Sequence, residues 1–220
     1  MKFLIFLGTV RQSSPPNPPR LGLRVARACV SHFTKSDEGN TVELIDPLDV
    51  VLGHVFKPHF AYASSKVPKD LKILADKIGR ADGYVMVSPE YNHSMSPALA
   101  HLLNHFGSSL FSYKPSAIVT YSAGQWGGTR AAVAMRTFLS ELGCLPVSAM
   151  VHIPKAHEVF DEDGSVQEDA DAWTDYLGRT FRQLEWWSRA AKLQRSQVDP
   201  FEQIRTFNRD PSQRNAPDSS

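Results

Sequence analysis

Gly83-Tyr84-Val85-Met86-Val87-Ser88-Pro89-Glu90-Tyr91-Asn92-His93-Ser94-Met95-Ser96-Pro97 is the stretch from which the fold is read. Its first five residues are a short, mostly apolar run, as expected for a strand covered on both faces. A polar loop follows. Pro97 then opens an amphipathic stretch through Phe106, in keeping with the preference of proline for the first helical turn.

The same strand–loop–helix pattern recurs on both sides of this stretch. Apolar runs occupy Phe3–Leu7, Thr41–Ile45, Ala117–Tyr121 and Pro146–Ile153, the second alternating and more exposed. Between them, Leu21–Phe33 spaces Leu21, Val25, Cys29 and Phe33 four residues apart. Pro68 opens a helix through Gly79 with Leu71, Leu74, Ala75 and Ile78 on one face. Thr129–Leu142 stops at Gly143, a normal helix end. Asp169–Leu193 is the longest and carries Trp173, Tyr176, Leu177, Phe181, Leu184 and Trp187. Five alternations of strand and helix predict an α/β, doubly wound parallel sheet of five strands. In such sheets ligands sit outside the carboxyl ends of the strands, beside the point where the winding reverses. The loops after the first, third and fourth strands are therefore the ones that carry chemistry.

Composition narrows the function classes. A chain of 220 residues buries roughly 70% of its unfolded surface and needs no disulfide or metal to fold. Lys+Arg 24 against Asp+Glu 23 gives net +1, which argues against a general nucleic-acid binder and against a strongly acidic electron carrier. Two cysteines, Cys29 and Cys144, exclude a disulfide framework and an all-cysteine zinc site; both lie in apolar context and read as packing residues. The run Phe3–Leu7 is shorter than the roughly 7–15 residues of a signal-peptide core. No segment approaches the ~18 apolar residues of a membrane span. A soluble, cytoplasmic protein is expected, so the glycosylation match at Asn92-His93-Ser94 reads as accidental.

The first loop, Gly8 to Gly22, joins hydroxyls, Arg11 and Arg20 to a helix N-terminus, an anion site by geometry and dipole. Neither a Walker pattern nor Gly-x-Gly-x-x-Gly is present. The third loop, Ser88 to Pro97, is placed to present backbone groups to a planar heterocycle, with Tyr91 as an aromatic wall. In the fourth, Ser122-Ala123-Gly124-Gln125-Trp126-Gly127-Gly128, three glycines allow close backbone approach and Trp126 offers a stacking surface.

Together these loops resemble the NADPH-dependent FMN reductase family, from Lys2 to about Trp187. Pro89-Glu90-Tyr91-Asn92 is the most specific element, supported by Gly8-Thr9-Val10-Arg11, Ser122-x-Gly124-x-x-Gly127-Gly128 and Phe160-Asp161-Glu162-Asp163-Gly164. The resemblance implies a flavodoxin-like three-layer α/β/α sandwich with strand order 2-1-3-4-5. It implies bound FMN as cofactor, with the phosphate held around Thr9, Arg11, Ser13, Arg20 and Gly22. Pro89, Glu90, Tyr91 and Asn92 would line the isoalloxazine, and Ser122, Gly124, Gln125, Trp126, Gly127 and Gly128 would close its other edge. It further implies NAD(P)H as co-substrate, a quinone-like, azo, flavin or metal-oxyanion acceptor, a ping-pong mechanism, and a homodimer or homotetramer. No side chain is required as general acid or base. One departure is Gln12–Pro19, which looks like an insertion with four prolines; which of Ser13, Ser14, Asn17 and Arg20 meets phosphate stays open. The competing classes are a flavodoxin-type electron carrier, against which net +1 counts, an organoarsenical-acting flavoprotein of the same family, and a scaffold that has lost its flavin.

Other constellations read as structural. His101 and His105 have the i, i+4 spacing of a metal pair, but no third ligand is evident. His54 and His59 lie in the long connection Leu48–Val67, which is placed to cover a site or a neighbour. Asp161-x-Asp163-Gly164 lacks calcium-loop spacing. Trp186 and Trp187, being adjacent, are expected on different faces of the last helix. Residues 1–193 read as the flavin domain. Residues 194–220 read as a polar tail, disordered or an oligomer arm.

Overall fold

The computed structural model describes residues 1–12, 20–35 and 39–203. Strands β1 (Lys2–Leu7), β2 (Thr41–Ile45), β3 (Gly83–Pro89), β4 (Pro115–Tyr121), β5 (Leu145–Pro146) and β6 (Val151–Ile153) form one parallel sheet in the order β2-β1-β3-β4-β5, with β6 also on β4. The helices are α1 (Leu21–Lys35), α2 (Lys69–Arg80), α3 (Pro97–Asn104), α4 (Ser108–Phe111), α5 (Thr129–Glu141), α6 (Ala156–Val159), α7 (Ala170–Gln197) and α8 (Pro200–Gln203). Among the described residues, no helix is long and apolar enough to cross a membrane.

The pleat sorts each strand into two cores. Phe3, Ile5, Leu7, Val85, Val87, Ala117 and Val119 face α1 and α7, meeting Val25, Cys29, Phe33, Leu177, Phe181 and Leu184. Leu4, Phe6, Tyr84, Met86 and Ile118 face the other layer, meeting Leu71, Leu74, Ile78, Leu99, Leu103, Met135 and Leu139. Phe33 lies 4.8 Å from both Phe3 and Phe181, ring centre to ring centre, tying α1 to β1 and α7. Such aromatic pairs contribute about 0.5–1.5 kcal/mol each beyond area burial. Cys29 and Cys144 are both buried, as expected of packing residues, and burial pushes each thiol up to about 12.

Three expectations are corrected. The single fifth strand over Pro146–Ile153 is two short strands. Between them the chain leaves the sheet, so that Arg136 donates to Val147 O (2.9 Å) and Ala149 N–H donates to Gln183 on α7 (3.2 Å). The last helix does not end at Leu193 but runs to Gln197. Arg195 donates to Tyr113 O (2.6 Å), and Lys192 pairs with the buried Asp82 (3.0 Å), which holds these polar turns against the domain. Residues 204–220 lie outside the described residues. Trp186 and Trp187 are not separated: their rings meet edge-on at 4.5 Å, both exposed.

Lys114 is a buried ammonium within reach of three carbonyl oxygens, Ile78 O (2.9 Å), Gly79 O (2.7 Å) and Leu110 O (2.9 Å), which joins the ends of α2 and α4 beneath β4. Burial, reinforced by the nearby Arg195 charge and opposed by Asp82, pulls it from 10.5 down to about 7. The folded state then binds fewer protons than the unfolded chain between these values, so stability rises with pH across that window. From pH 7.5 to 9.5, unfolding free energy is expected to climb more steeply in the wild type than in Lys114→Met, by up to about 1.4 kcal/mol per pH unit. Parallel curves from urea titrations of the two proteins would refute a depressed lysine. A second prediction concerns Gly22, where a Cβ would overlap the Tyr121 hydroxyl and lie 2.9 Å from Thr9 Cγ2. Gly22→Ala should destabilise by about 1–3 kcal/mol through overpacking, despite the better helix propensity of alanine. A neutral or stabilising result in thermal unfolding would show that α1 can move off β4.

Candidate functional site

The winding reverses between β1 and β3, and the loops leaving the carboxyl ends of β1, β3 and β4 meet around one cavity of about 820 Å³. At the β1 side Thr9 is buried, and its hydroxyl accepts from Arg11 N–H (3.3 Å). Arg20 donates to Thr9 O (3.2 Å) and pairs with Asp46, which in turn caps the turn at Pro47–Asp49 through Leu48 N–H (2.9 Å). Arg20 therefore lines the cavity while bracing the loops after β1 and β2. Arg11 is exposed and reaches across the cleft to donate to the Tyr91 hydroxyl (3.4 Å). α1 starts beside these groups, and the first turn of a helix directs its unpaired amides and its positive dipole end outward.

At the β3 side, Ser88 accepts from Ser96 N–H (2.9 Å) and Ser96 caps α3 through Leu99 N–H (3.1 Å), so both ends of the loop are fixed. Its tip is a tight turn in which Tyr91 and Ser94 exchange two backbone hydrogen bonds of 2.9 Å. Asn92 and His93 sit there at φ 49° and 62°, a backbone that asparagine tolerates better than most residues. Glu90 turns toward the N-terminus of α5, pairing with Arg130 (3.0 Å) and accepting from Ala131 N–H (3.5 Å). Desolvation opposes its charge, but the Arg130 and Ala131 hydrogen bonds and the Arg130 charge outweigh it and hold the carboxyl below its ordinary range.

At the β4 side, Ser122 closes its own loop, donating to Gly124 O (2.7 Å) and accepting from Gly127 N–H (2.9 Å). Lys155 N–H donates to Gly124 O (2.8 Å), which stitches the loop to the end of β6. Gly127 and Gly128 have φ 61° and 76°, and a Cβ on Gly128 would lie 2.9 Å from Thr120 Cβ, so this turn needs glycine. Trp126 is 64% exposed, while its carbonyl is held by both the amide and the hydroxyl of Thr129.

Of the residues singled out from sequence, Thr9, Arg11, Arg20, Gly22, Pro89, Glu90, Tyr91 and Ser122 line the cavity. Asn92, Gly124, Gln125, Trp126, Gly127 and Gly128 shape the loops around it instead, and Ser13 lies outside the described residues. Sequence reasoning left Gln12, Leu21 and Ala123 without a role inside the loops it singled out, and missed Arg24, Tyr121 and His157 on the wall. Tyr121 had a usable signal, an aromatic side chain at the carboxyl end of a buried strand. Arg24 and His157 had none, because α1 and α6 converge only in three dimensions. Burial pushes the Tyr121 phenol well above its ordinary range; the Tyr91 hydroxyl adds to this and the Arg11 and Arg20 charges oppose it. Arg24 donates to Phe160 O (3.1 Å), and its Nε is buried with no hydrogen-bond partner. Three guanidinium groups, one carboxylate and an aromatic wall suit a ligand with an anionic end and a planar ring, and FMN fits that description. Among the described residues, no cluster of His, Cys, Asp or Glu could hold a metal ion, and the His101 and His105 rings pack against Phe56 in tilted and edge-on arrangements.

Comparison with known proteins agrees with this geometry. An NADPH azoreductase of Bacillus sp. (strain OY1-2) is 32% identical over 112 residues, covering 50% of this chain and 61% of that protein. A quinone reductase of Pseudomonas putida (strain KT2440) is 30% identical over 107 residues, 46% of this chain and 57% of that one. The chain thus spans about three fifths of the length of the curated relatives it matches. Among solved structures, FerB, a flavoenzyme NAD(P)H:(acceptor) oxidoreductase from Paracoccus denitrificans, aligns with a TM-score of 0.64 at 19% identity, covering 86% of this chain and 97% of that one, and so shares the flavodoxin-like fold. Residues 1–158 match the family described as NADPH-dependent FMN reductase. The chain belongs to the NADPH-dependent FMN reductase family.

Proposed function

We propose that the protein is an FMN-dependent NAD(P)H oxidoreductase that reduces small diffusible acceptors of the quinone or azo type. The observation that carries this reading is the single cavity in which Thr9, Arg11 and the start of α1 converge with Pro89, Tyr91 and the Ser122–Ala123 turn. Thr9, Arg11 and the first-turn amides of α1 would hold the phosphate, where charge and helix dipole act together. Pro89, Tyr91 and Ala123 would wall the ring system. When bound, FMN supplies the hydride chemistry, accepting from NAD(P)H and delivering to the acceptor.

The chain contributes position and electrostatics. Ser88, Ser96 and the Tyr91–Ser94 turn hold the β3 loop, and Ser122 with Gly127 and Gly128 holds the β4 loop. The two loops are therefore preorganised around a bound ring, and little of their backbone needs to reorder when it arrives. Nucleotide and acceptor share one open cleft, so they bind in turn, and parallel double-reciprocal plots are expected. The four prolines of the loop after β1 lie outside the described residues.

The deciding experiment is to load the purified protein with FMN and add NADPH or NADH without oxygen. Fast, complete bleaching of the flavin spectrum is expected, followed by recovery on adding a quinone. Failure to bleach with either nucleotide refutes the reductase reading. Arg11→Ala removes one charge-assisted contact, worth about 1.5–3 kcal/mol. FMN affinity should therefore fall about tenfold or more while riboflavin affinity changes little. Equal losses for the two flavins in fluorescence titrations would move Arg11 away from the phosphate.

A further inference from the structure

Trp126 and Arg130 sit beside the cleft without lining it. Trp126 holds a large indole ring in solvent, 64% exposed, although its backbone is fixed by Thr129 and by the glycine turn that follows. The ring is thus held by its backbone at a fixed place on the rim while its face stays open to solvent. Arg130 lies against it, with the guanidinium carbon 5.8 Å from the ring centre, within cation–π range. The guanidinium is anchored through its Nε to Glu90 (3.0 Å), a residue of the cavity wall, while the Arg130 side chain is half exposed. His93, on the same rim, approaches Glu90 to 3.9 Å. An aromatic face and a fixed cation thus stand together at the mouth of the cavity, and Glu90, the carboxylate beside them, is already paired.

We propose that Trp126 and Arg130 form a recognition platform at the cleft mouth for a planar aromatic ring that carries an anionic group. The ring stacks on the indole and the anion meets the outward edge of the guanidinium, whose planar donor fork suits phosphate, sulfonate and carboxylate alike. Two sources have this chemistry: the adenosine 2′-phosphate of the coenzyme, and an acceptor bearing a sulfonate or carboxylate. The inference rests on the reductase reading for its biological meaning, but binding to the platform is measurable without turnover.

The test uses the full chain loaded with FMN, as wild type, Arg130→Gln, Arg130→Lys and Trp126→Ala, with equilibrium binding followed by calorimetry at low ionic strength. One ligand pair is adenosine 2′,5′-bisphosphate against adenosine 5′-monophosphate; the other is 1,4-naphthoquinone-2-sulfonate against 1,4-naphthoquinone. The wild type is expected to favour the more anionic member of at least one pair. Arg130→Gln should cut that affinity ratio about tenfold or more, the loss of one charge-assisted contact. Arg130→Lys should retain much of the ratio, which a merely structural arginine would not require, and salt should erode it. Trp126→Ala should weaken both members of the affected pair about tenfold, the loss of a stacking surface. The pair that responds identifies the source as coenzyme or acceptor. Ratios identical in wild type and Arg130→Gln for both pairs overturn the platform. Bleaching by NAD(P)H together with unaltered ratios defeats this inference alone, whereas a responsive ratio without bleaching defeats the reductase reading alone.

Discussion

Between β1 and β3 the chain reverses the direction in which it winds across the sheet, with β2 on one side of β1 and β3 on the other. The loops leaving β1 and β3 must therefore run toward opposite faces, and a gap opens between them at the carboxyl edge. Every feature of the cleft depends on that divergence. It sets Thr9 and Arg11 opposite Pro89 and Tyr91, places the first turn of α1 over the gap, and leaves the loop after β4 to close the third side. The sheet itself is rigid because both of its faces are buried in separate apolar layers, so the gap keeps its shape.

The residues around the cleft divide by what they touch. Ser122, Ser88, Ser96 and Glu90 spend their hydrogen bonds on the loops and helix ends themselves. Arg20 is spent on Asp46 and Thr9, so it neutralises one carboxylate and holds two loops together. Arg11 differs: it is exposed, and among the described residues its side chain hydrogen-bonds a phenol across the cleft, which leaves its charge available to an anion. A cleft braced in this way holds its loops in place and keeps the Arg11 charge accessible, so little reorganisation is needed when a ligand arrives.

The strand–loop–helix alternation was legible because buried parallel strands are nearly continuous apolar runs, and the three loops were legible because each sits between such a run and a helix. The Pro89–Asn92 loop and the Ser122–Gly128 loop were found on that basis, and both border the cavity. What escaped came from long-range contacts. In the detour between β5 and β6, Ala149 N–H donates to Gln183 on α7, a partner 34 residues away in sequence. The extra turn of α7 is tied down by Arg195, which Tyr113 and Asp82, far away in sequence, receive. Arg24 and His157 reach the cavity wall from elements that read as ordinary helix from sequence. Glu90 belongs to the most specific motif of the chain, yet its carboxylate serves α5 as much as the cleft.

Local sequence alone determined the order of elements, the parallel sheet, the two-sided burial of its strands and the loops that border the cleft, since these follow from hydrophobic period and from where proline and glycine fall. Tertiary structure alone decided which polar side chains in those loops remain available to a ligand. That choice depends on whether a partner from a distant element is within hydrogen-bonding distance: Asp46 occupies Arg20, Glu90 occupies one edge of Arg130, and Arg11 keeps its charge exposed at the cleft. Pairing across so many residues leaves no trace in the spacing of the chain.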